Sequence, residues 1–423
     1  MDPGAQPHFR NLRPETGAGP GVSAQVESTD TPGKRPEPDL TRHMPVLDGV
    51  RGLAILAVLL FHFVVPVRPQ GRIDAAITWL FTYGALGVDL FFVLSGFLIT
   101  GILYDSRTDP AYFRNFYMRR LLRIFPLYYG VLAIVFFVVP LVPGLRGSEI
   151  ADLRGHQLWA WLYGVNIYLA LHGGWVLSYI THFWSLAVEE QFYLAWPLLV
   201  WLLAARPRLF LTFSLAVAAT SFGSRIIASF MGASTIATTV LTPFQLDALA
   251  LGGFIAVYLR QPGGTARAQR FIVPMAAAGV SLLVLQFAMR HFAEYGNALE
   301  SLRGGAFHVL LAALLLKTVT APPSSGWARF FRSSPMITLG KYSYGLYVYH
   351  HFFSYYFSRH GTEPALAALI GSHLAALAIL AVAGMTASMA IAWLSYEYFE
   401  RYFLQLKRFW PTHPSAQPSR ASS

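Results

Sequence analysis

Ten apolar blocks constrain this chain more than any other feature. They lie near residues 50–67, 84–104, 126–143, 186–204, 209–231, 241–259, 271–290, 303–320, 337–357 and 364–394. Each has about the length a helix needs to cross a hydrocarbon layer roughly 30 Å thick. Inside lipid no backbone N–H or C=O finds water, so a spanning segment must satisfy its own backbone, and continuous apolar blocks of this length do so as helices. The expected fold class is all-α: a polytopic transmembrane helical bundle with about ten membrane-spanning helices. The last block is longer than a bilayer requires, so it must tilt or project.

Charged residues make up 13% of the chain, about half the share in an ordinary soluble domain. Residues 1–45 are rich in Pro, Gly, Glu and Arg and read as a disordered tail. Residues 46–405 read as one membrane domain and 406–423 as a second polar tail. No signal-peptide core precedes the first block, which therefore acts as its own targeting signal. With both termini inside, 23 of the 32 Lys and Arg residues fall in inner segments and 8 in outer ones, Arg51 lying within the first block. That asymmetry places both termini in the cytoplasm and the chain in the cell's inner membrane. The net charge of +11 is accounted for by these inner segments, so the lipid bilayer, and no nucleic acid, is the expected partner. Cysteine is absent, which excludes disulfides, thiolate metal sites and a cysteine acyl-enzyme. No metal is expected.

Three constellations suggest chemistry. In RGLAILAVLLFH, Arg51 and His62 are eleven residues apart, which puts them within about 20° of one helical face and roughly 16 Å apart along the axis. Arg119, Arg120 and Arg123 lie on a short basic element before the third block, where guanidiniums suit the phosphates of a ligand. As topology determinants alone they would look the same. In THFWSLAVEEQFYLAWP, His182, Ser185 and Glu189 fall on one helical face with Glu190 beside them. Paired carboxyl groups in an apolar span are costly unless they are protonated, paired with a cation or facing a wet cavity. A buried Glu–Arg lock competes with a proton-transfer role.

Smaller signals are Asp89 in GVDLFFVLSGFL, Asp247 in QLDALALGG, and a stripe of Tyr344, Tyr347, His351 and Tyr355 with His350 adjacent. Trp159, Trp161, Tyr163, Tyr168 and Trp175 in the long connection after the third block suit a helix lying on the outer leaflet. By topology His62, Asp89, His182, Glu189, Asp247 and His350 belong to the outer half of the membrane, and Arg51 with the three clustered arginines to the inner half. This arrangement is suited to moving a group across the bilayer from a phosphorylated donor.

The order LDGVRGLAILAVLLFH, GVDLFFVLSGFLI, RRLLRIFPLYY, HFWSLAVEEQFYLAWPL, QLDALALGG, SYGLYVYHH and YEYFER resembles the membrane-bound acyltransferase-3 family from Leu47 to about Phe403. The resemblance implies a ten-helix enzyme that moves an acyl group, commonly acetyl from acetyl-CoA, to a hydroxyl of an extracytoplasmic carbohydrate or related acceptor. It implies catalytic roles for His62, Glu189, Glu190 and His182, and acyl-CoA binding by Arg51, Arg119, Arg120 and Arg123. Asp89, Trp184, Ser185, Asp247, Tyr344, Tyr347 and His350 are expected at the substrate. Phe183 stands where the family has a small polar residue, and Ala187 replaces a common Ser. Nothing after the last block reads as a soluble esterase-like domain, so a stand-alone form is expected. The rival reading is a transporter, since intramembrane His and Glu also mark carrier pathways; no repeat in the spacing of the blocks supports it.

Overall fold

A computed structural model describes residues 39–40, 42–142, 147–291 and 296–411. The tail expectations for 1–38 and 412–423 lie outside the described residues. Ten principal helices carry the ten expected blocks: α1 (Pro45–Val64), α2 (Leu86–Asp105), α3 (Tyr112–Ala133), α4 (Trp184–Leu203), α5 (Pro207–Phe230), α6 (Leu246–Leu259), α7 (Ile272–Met289), α8 (Gly296–Thr320), α9 (Ser334–Arg359) and α10 (His373–Ser395). There is no strand among the described residues. Among the described residues eight stretches are long and apolar enough to cross a membrane, making this a multi-pass membrane protein. The two helices outside that set are α6, with 14 residues, and α9, which is long but carries Lys341, His350, His351 and six tyrosines. Both sit inside the bundle, where neighbouring helices rather than lipid cover their polar groups.

The centre is built on two close helix pairs, α1 with α9 and α2 with α6. Glycine makes both possible. A Cβ on Gly340 would lie 1.9 Å from the Asp48 carbonyl oxygen, and one on Gly52 would lie 2.1 Å from that of Met336. Across the other pair, a Cβ on Gly96 or Gly252 would meet the carbonyl oxygens of Leu249 or Val93 at 1.9 and 2.0 Å. Without a hydrophobic drive between helices in lipid, such backbone contact supplies the packing attraction. At the opposite extreme is α7, which packs on α8 and buries only Gly279. Its apolar faces are solvated by lipid.

Three sequence expectations need correction. The overlong last block is two helices, because Gly371 adopts a left-handed conformation (φ 71°) after Thr362–Ile370 and Ser372 then caps α10. The aromatic connection forms several short helical segments (Ser148–Gly155, Gln157–Trp161, Val165–His172, Ser178–Phe183) instead of one interfacial helix. Most of its rings turn inward, Trp175 staying exposed: Tyr163 stacks on Tyr128 at 4.2 Å, Trp161 on Tyr129 at 5.7 Å, and the Tyr128 hydroxyl donates to Ala160 O. Ring stacking and hydroxyl satisfaction against α3 outcompete the interface. Finally, residues 406–411, assigned to a polar tail, fold back. Beyond α10 the chain passes a π-turn (Tyr396–Glu400) and ends against α3, where Arg119 donates to Trp410 O at 3.0 Å.

Candidate active site

The basic element before the third block is the first half of α3, and it turns two guanidiniums into the bundle. A single cavity is lined by Arg51 of α1, Ser95 of α2, Arg120 and Arg123 of α3, Ser185, Glu189, Glu190 and Tyr193 of α4, and Tyr344 and Tyr347 of α9. A second cavity adjoins it at Arg51, Arg120 and Arg123 and adds Arg119 and Lys407. Arg51 is held by Asp48 at 3.1 Å. Among the described residues neither Arg120 nor Arg123 has a carboxylate within 4.0 Å. Arg120 is instead braced by the rings of Tyr193 (5.5 Å) and Phe116 (5.8 Å). Uncompensated guanidiniums on a cavity wall are receptors for an anion.

The glutamates face the same space. Glu189 is approached by the Ser95 and Tyr193 hydroxyls, which also bond each other at 2.5 Å. Glu190 has a buried Oε1 with no hydrogen-bond partner. Among the described residues neither forms an ion pair with Arg or Lys, so the interhelical lock weighed from sequence is not made there. The cavity stops at Ser185 and Tyr347. Ser185 Oγ lies 2.5 Å from the Tyr347 hydroxyl, which donates to His182 O at 2.8 Å.

One ring beyond that stop lie four histidines. His350 is 5.6 Å from the Tyr347 ring, centroid to centroid, and 4.7 Å from His62. His351 lies 5.2 Å from His62 and 4.7 Å from His182. His62 Nδ1 is 3.0 Å from Val58 O, the carbonyl one helical turn back, so Nδ1–H is the donor and Nε2 keeps its lone pair. Part of the His62 side chain is exposed, while His182 and His350 are buried. Holding His351 requires backbone in the left-handed region: Leu177 (φ 65°) and Ser178 (φ 33°) bring Ser178 O to 3.2 Å from His351 Nε2.

A family model described as an acyltransferase domain matches residues 44–397, a span that contains the arginine cavity and the histidine cluster. The chain belongs to the acyltransferase-3 family. Among similar proteins, an O-acetyltransferase OatA of Staphylococcus aureus is 29% identical over 322 residues, 73% of this chain and 50% of that protein. A peptidoglycan O-acetyltransferase OatA of Listeria monocytogenes is 28% identical over 329 residues, 73% of this chain and 49% of that one. The chain therefore spans about half the length of the curated relatives it matches. No solved structure matches it.

Within this acyltransferase fold the expected site residues divide. Arg51, Arg120, Arg123, Ser185, Glu189, Glu190, Tyr344 and Tyr347 share the main cavity. Arg119 reaches only its mouth, where it is committed to the C-terminal segment. His62, His182 and His350 gather beyond Tyr347, and no carboxylate touches them among the described residues. Trp184 packs against Phe92 and Trp175 and lines neither cavity. Asp89 and Asp247 belong elsewhere. Asp247 binds Arg225 at 2.7 Å and His308 at 2.9 Å, and His308 lies 3.5 Å from Asp89, around a separate polar cavity. Arg225, counted with the outer segments in the topology reading, is thus a buried member of α5.

Lys407 is the residue that sequence reasoning misses. It closes the cation ring from a segment that looks like a tail, and the signal was a Lys-Arg pair just beyond the YEYFER motif. His308, a lone histidine in the apolar run of α8, could have been found as an intramembrane ionisable group.

Proposed function

We propose that the protein transfers an acyl group, acetyl in the first instance, from acyl-CoA to a hydroxyl of a carbohydrate acceptor. The donor enters at the arginine end and the acceptor at the histidine end. The observation carrying this reading is the shared cavity. Among the described residues it holds two guanidiniums without a carboxylate within 4.0 Å and two carboxyl groups without an ion-pair partner, and it ends one ring short of the histidines. Arg120, Arg123, Arg51 and Lys407 take the CoA phosphates through charge-assisted hydrogen bonds. The pantetheine arm runs past Ser95, Glu189, Glu190 and Tyr193, where carboxyl and hydroxyl oxygens accept from its amide N–H groups. Tyr347 and Phe91, 6.4 Å apart, form the partition through which the thioester meets His62. Turning the Tyr347 ring opens it.

His62 Nε2 takes the proton from the acceptor hydroxyl as its oxygen bonds the thioester carbonyl carbon. The C–S bond then breaks, and the departing thiolate takes the proton back from the imidazolium, giving the ester and free CoA thiol. Positive-inside bias supports placing the arginine end toward the cytoplasm, in the cell membrane, with residues 46–405 and the returning segment that carries Lys407 as the catalytic domain. The relatives' names make a cell-wall glycan the first acceptor to try, and family membership weighs against a carrier.

The test is purified protein in detergent with radiolabelled acetyl-CoA and a soluble peptidoglycan-type saccharide. Labelled saccharide from the wild type, lost in His62→Ala at equal expression, is the expected result. A wild type that gives neither labelled saccharide nor CoA release overturns the proposal.

A further inference from the structure

The four histidines come from three separate parts of the chain, and each spends one ring nitrogen on a backbone carbonyl. His62 Nδ1 donates to Val58 O (3.0 Å), His350 Nδ1 to Tyr347 O (2.8 Å), His351 Nε2 to Ser178 O (3.2 Å) and His182 Nε2 to Val348 O (3.2 Å). That assignment leaves one lone pair per ring. Two of the remaining nitrogens, His182 Nδ1 and His351 Nδ1, are buried with no hydrogen-bond partner among the described residues. Unsatisfied buried acceptors are rare and call for an occupant. No carboxylate lies within 4.0 Å of these rings among the described residues, so a neighbouring acid does not supply the missing proton.

One ring nitrogen each from His62, His350 and His351 lies within 4.8 Å of the other two, and because His350 Nε2 is 3.3 Å from His62 Nδ1, which donates to Val58 O, binding an ion through His62 Nε2 takes a turn of that ring. In a tetrahedral zinc site with bonds of about 2.0–2.1 Å, neighbouring nitrogens are about 3.4 Å apart, a contraction that small ring rotations supply. A second shell of backbone carbonyls fixing each tautomer is what metal-binding imidazoles require. All-imidazole donor sets select borderline cations such as zinc over magnesium or calcium. His62 and His351 are partly exposed, which gives an ion a way in.

We propose that His62, His350 and His351 form a site for a divalent cation of the zinc class, and that an ion bound there inhibits the enzyme. The inhibitory half rests on the reading of His62 as the base: a lone pair held by a metal cannot accept a proton from an alcohol. The sequence reading expected no metal; the grouping of these three imidazoles is the ground for proposing one.

The binding test needs no turnover. Full-length protein in detergent, stripped with chelator, is titrated with Co2+ and then Zn2+. The expected result is visible d–d absorption at one Co2+ per chain, abolished by Zn2+, with His351→Ala and His350→Ala each weakening affinity at least about tenfold and His156→Ala leaving it unchanged. A wild-type chain that gives no such band and retains no stoichiometric zinc overturns the site. Co2+ affinity retained in the His350→Ala/His351→Ala double variant also overturns it. In the acetyl-transfer assay, saturating Zn2+ should stop turnover and chelator restore it. Turnover indifferent to zinc, or lost on chelation, overturns the inhibition. A chain that binds zinc yet transfers nothing even when stripped overturns the acyltransferase reading and leaves the metal site standing.

Discussion

Ser185 and Tyr347 bond through their hydroxyls at 2.5 Å, and this contact closes the guanidinium-lined cavity against the histidine cluster. Tyr347 is further tied to His182 O at 2.8 Å. The ring is therefore a partition held by two hydrogen bonds, each worth about 1 kcal/mol net. Tyr347→Phe keeps the ring and removes the ties. Acceptor-independent hydrolysis of acyl-CoA, followed as free thiol release, should rise severalfold while KM for the donor stays within about twofold.

Arg120 and Arg123 have no carboxylate partner among the described residues, so their charge is available to an anion. Replacing either by Ala should raise KM for acyl-CoA about ten- to a hundredfold, the equivalent of one or two charge-assisted hydrogen bonds. Acceptor KM should not move. Steady-state kinetics with the two substrates varied separately distinguishes this from a general loss of fold.

Lys407 stands at the mouth of the same cavity, on a segment anchored by Arg119. Its charge is nearer to water, so Lys407→Ala should raise donor KM only about three- to tenfold. The penalty should shrink as ionic strength rises, because salt screens a partly exposed cation more than a buried one. A salt series on wild type and variant reads this directly.

Asp247 and Arg225 have side chains only 4% exposed, and they pair at 2.7 Å. Asp247→Ala would strand a buried guanidinium and should cost about 3–5 kcal/mol, seen as a lower melting temperature in detergent. Loss of activity without loss of stability would instead tie the cluster to the reaction.

Gly340→Ala places a methyl group 1.9 Å from a main-chain oxygen of α1 and forces the two central helices apart. Overpacking of this kind costs about 1–3 kcal/mol. The substitution should lower thermal stability and widen the spacing between Arg51 and α9. Gly326→Ala, where nothing lies within 4 Å, is the matched control.

The helices were legible because lipid imposes length and apolarity on every span, and the sequence obeys both. The break at Gly371 was not, since a left-handed glycine between two apolar runs leaves hydropathy unchanged. Arg51 and the Glu189–Glu190 pair were legible as intramembrane charges. Their grouping was less so: helical periodicity aligns His62 with Arg51 on α1, but it says nothing about which neighbour each one meets. In the bundle Arg51 meets α3, and His62 meets α9 and the turn before α4. Asp89 and Asp247 looked like members of the same site because they share its depth. Their partners, Arg225 and His308, come from helices on the other side of α2 and α6.

At 14 residues α6 is about 21 Å long, some 9 Å short of a typical hydrocarbon layer. The shortfall lies at its N-terminal end, where Gln245 lines the polar cavity shared by Asp89, Arg225 and His308. Helices α2, α5 and α8 pack against α6. The helical stretch at α6 is thus shorter than in any of these three neighbours, and the polar side chains of that cavity stand where a longer apolar helix would have continued.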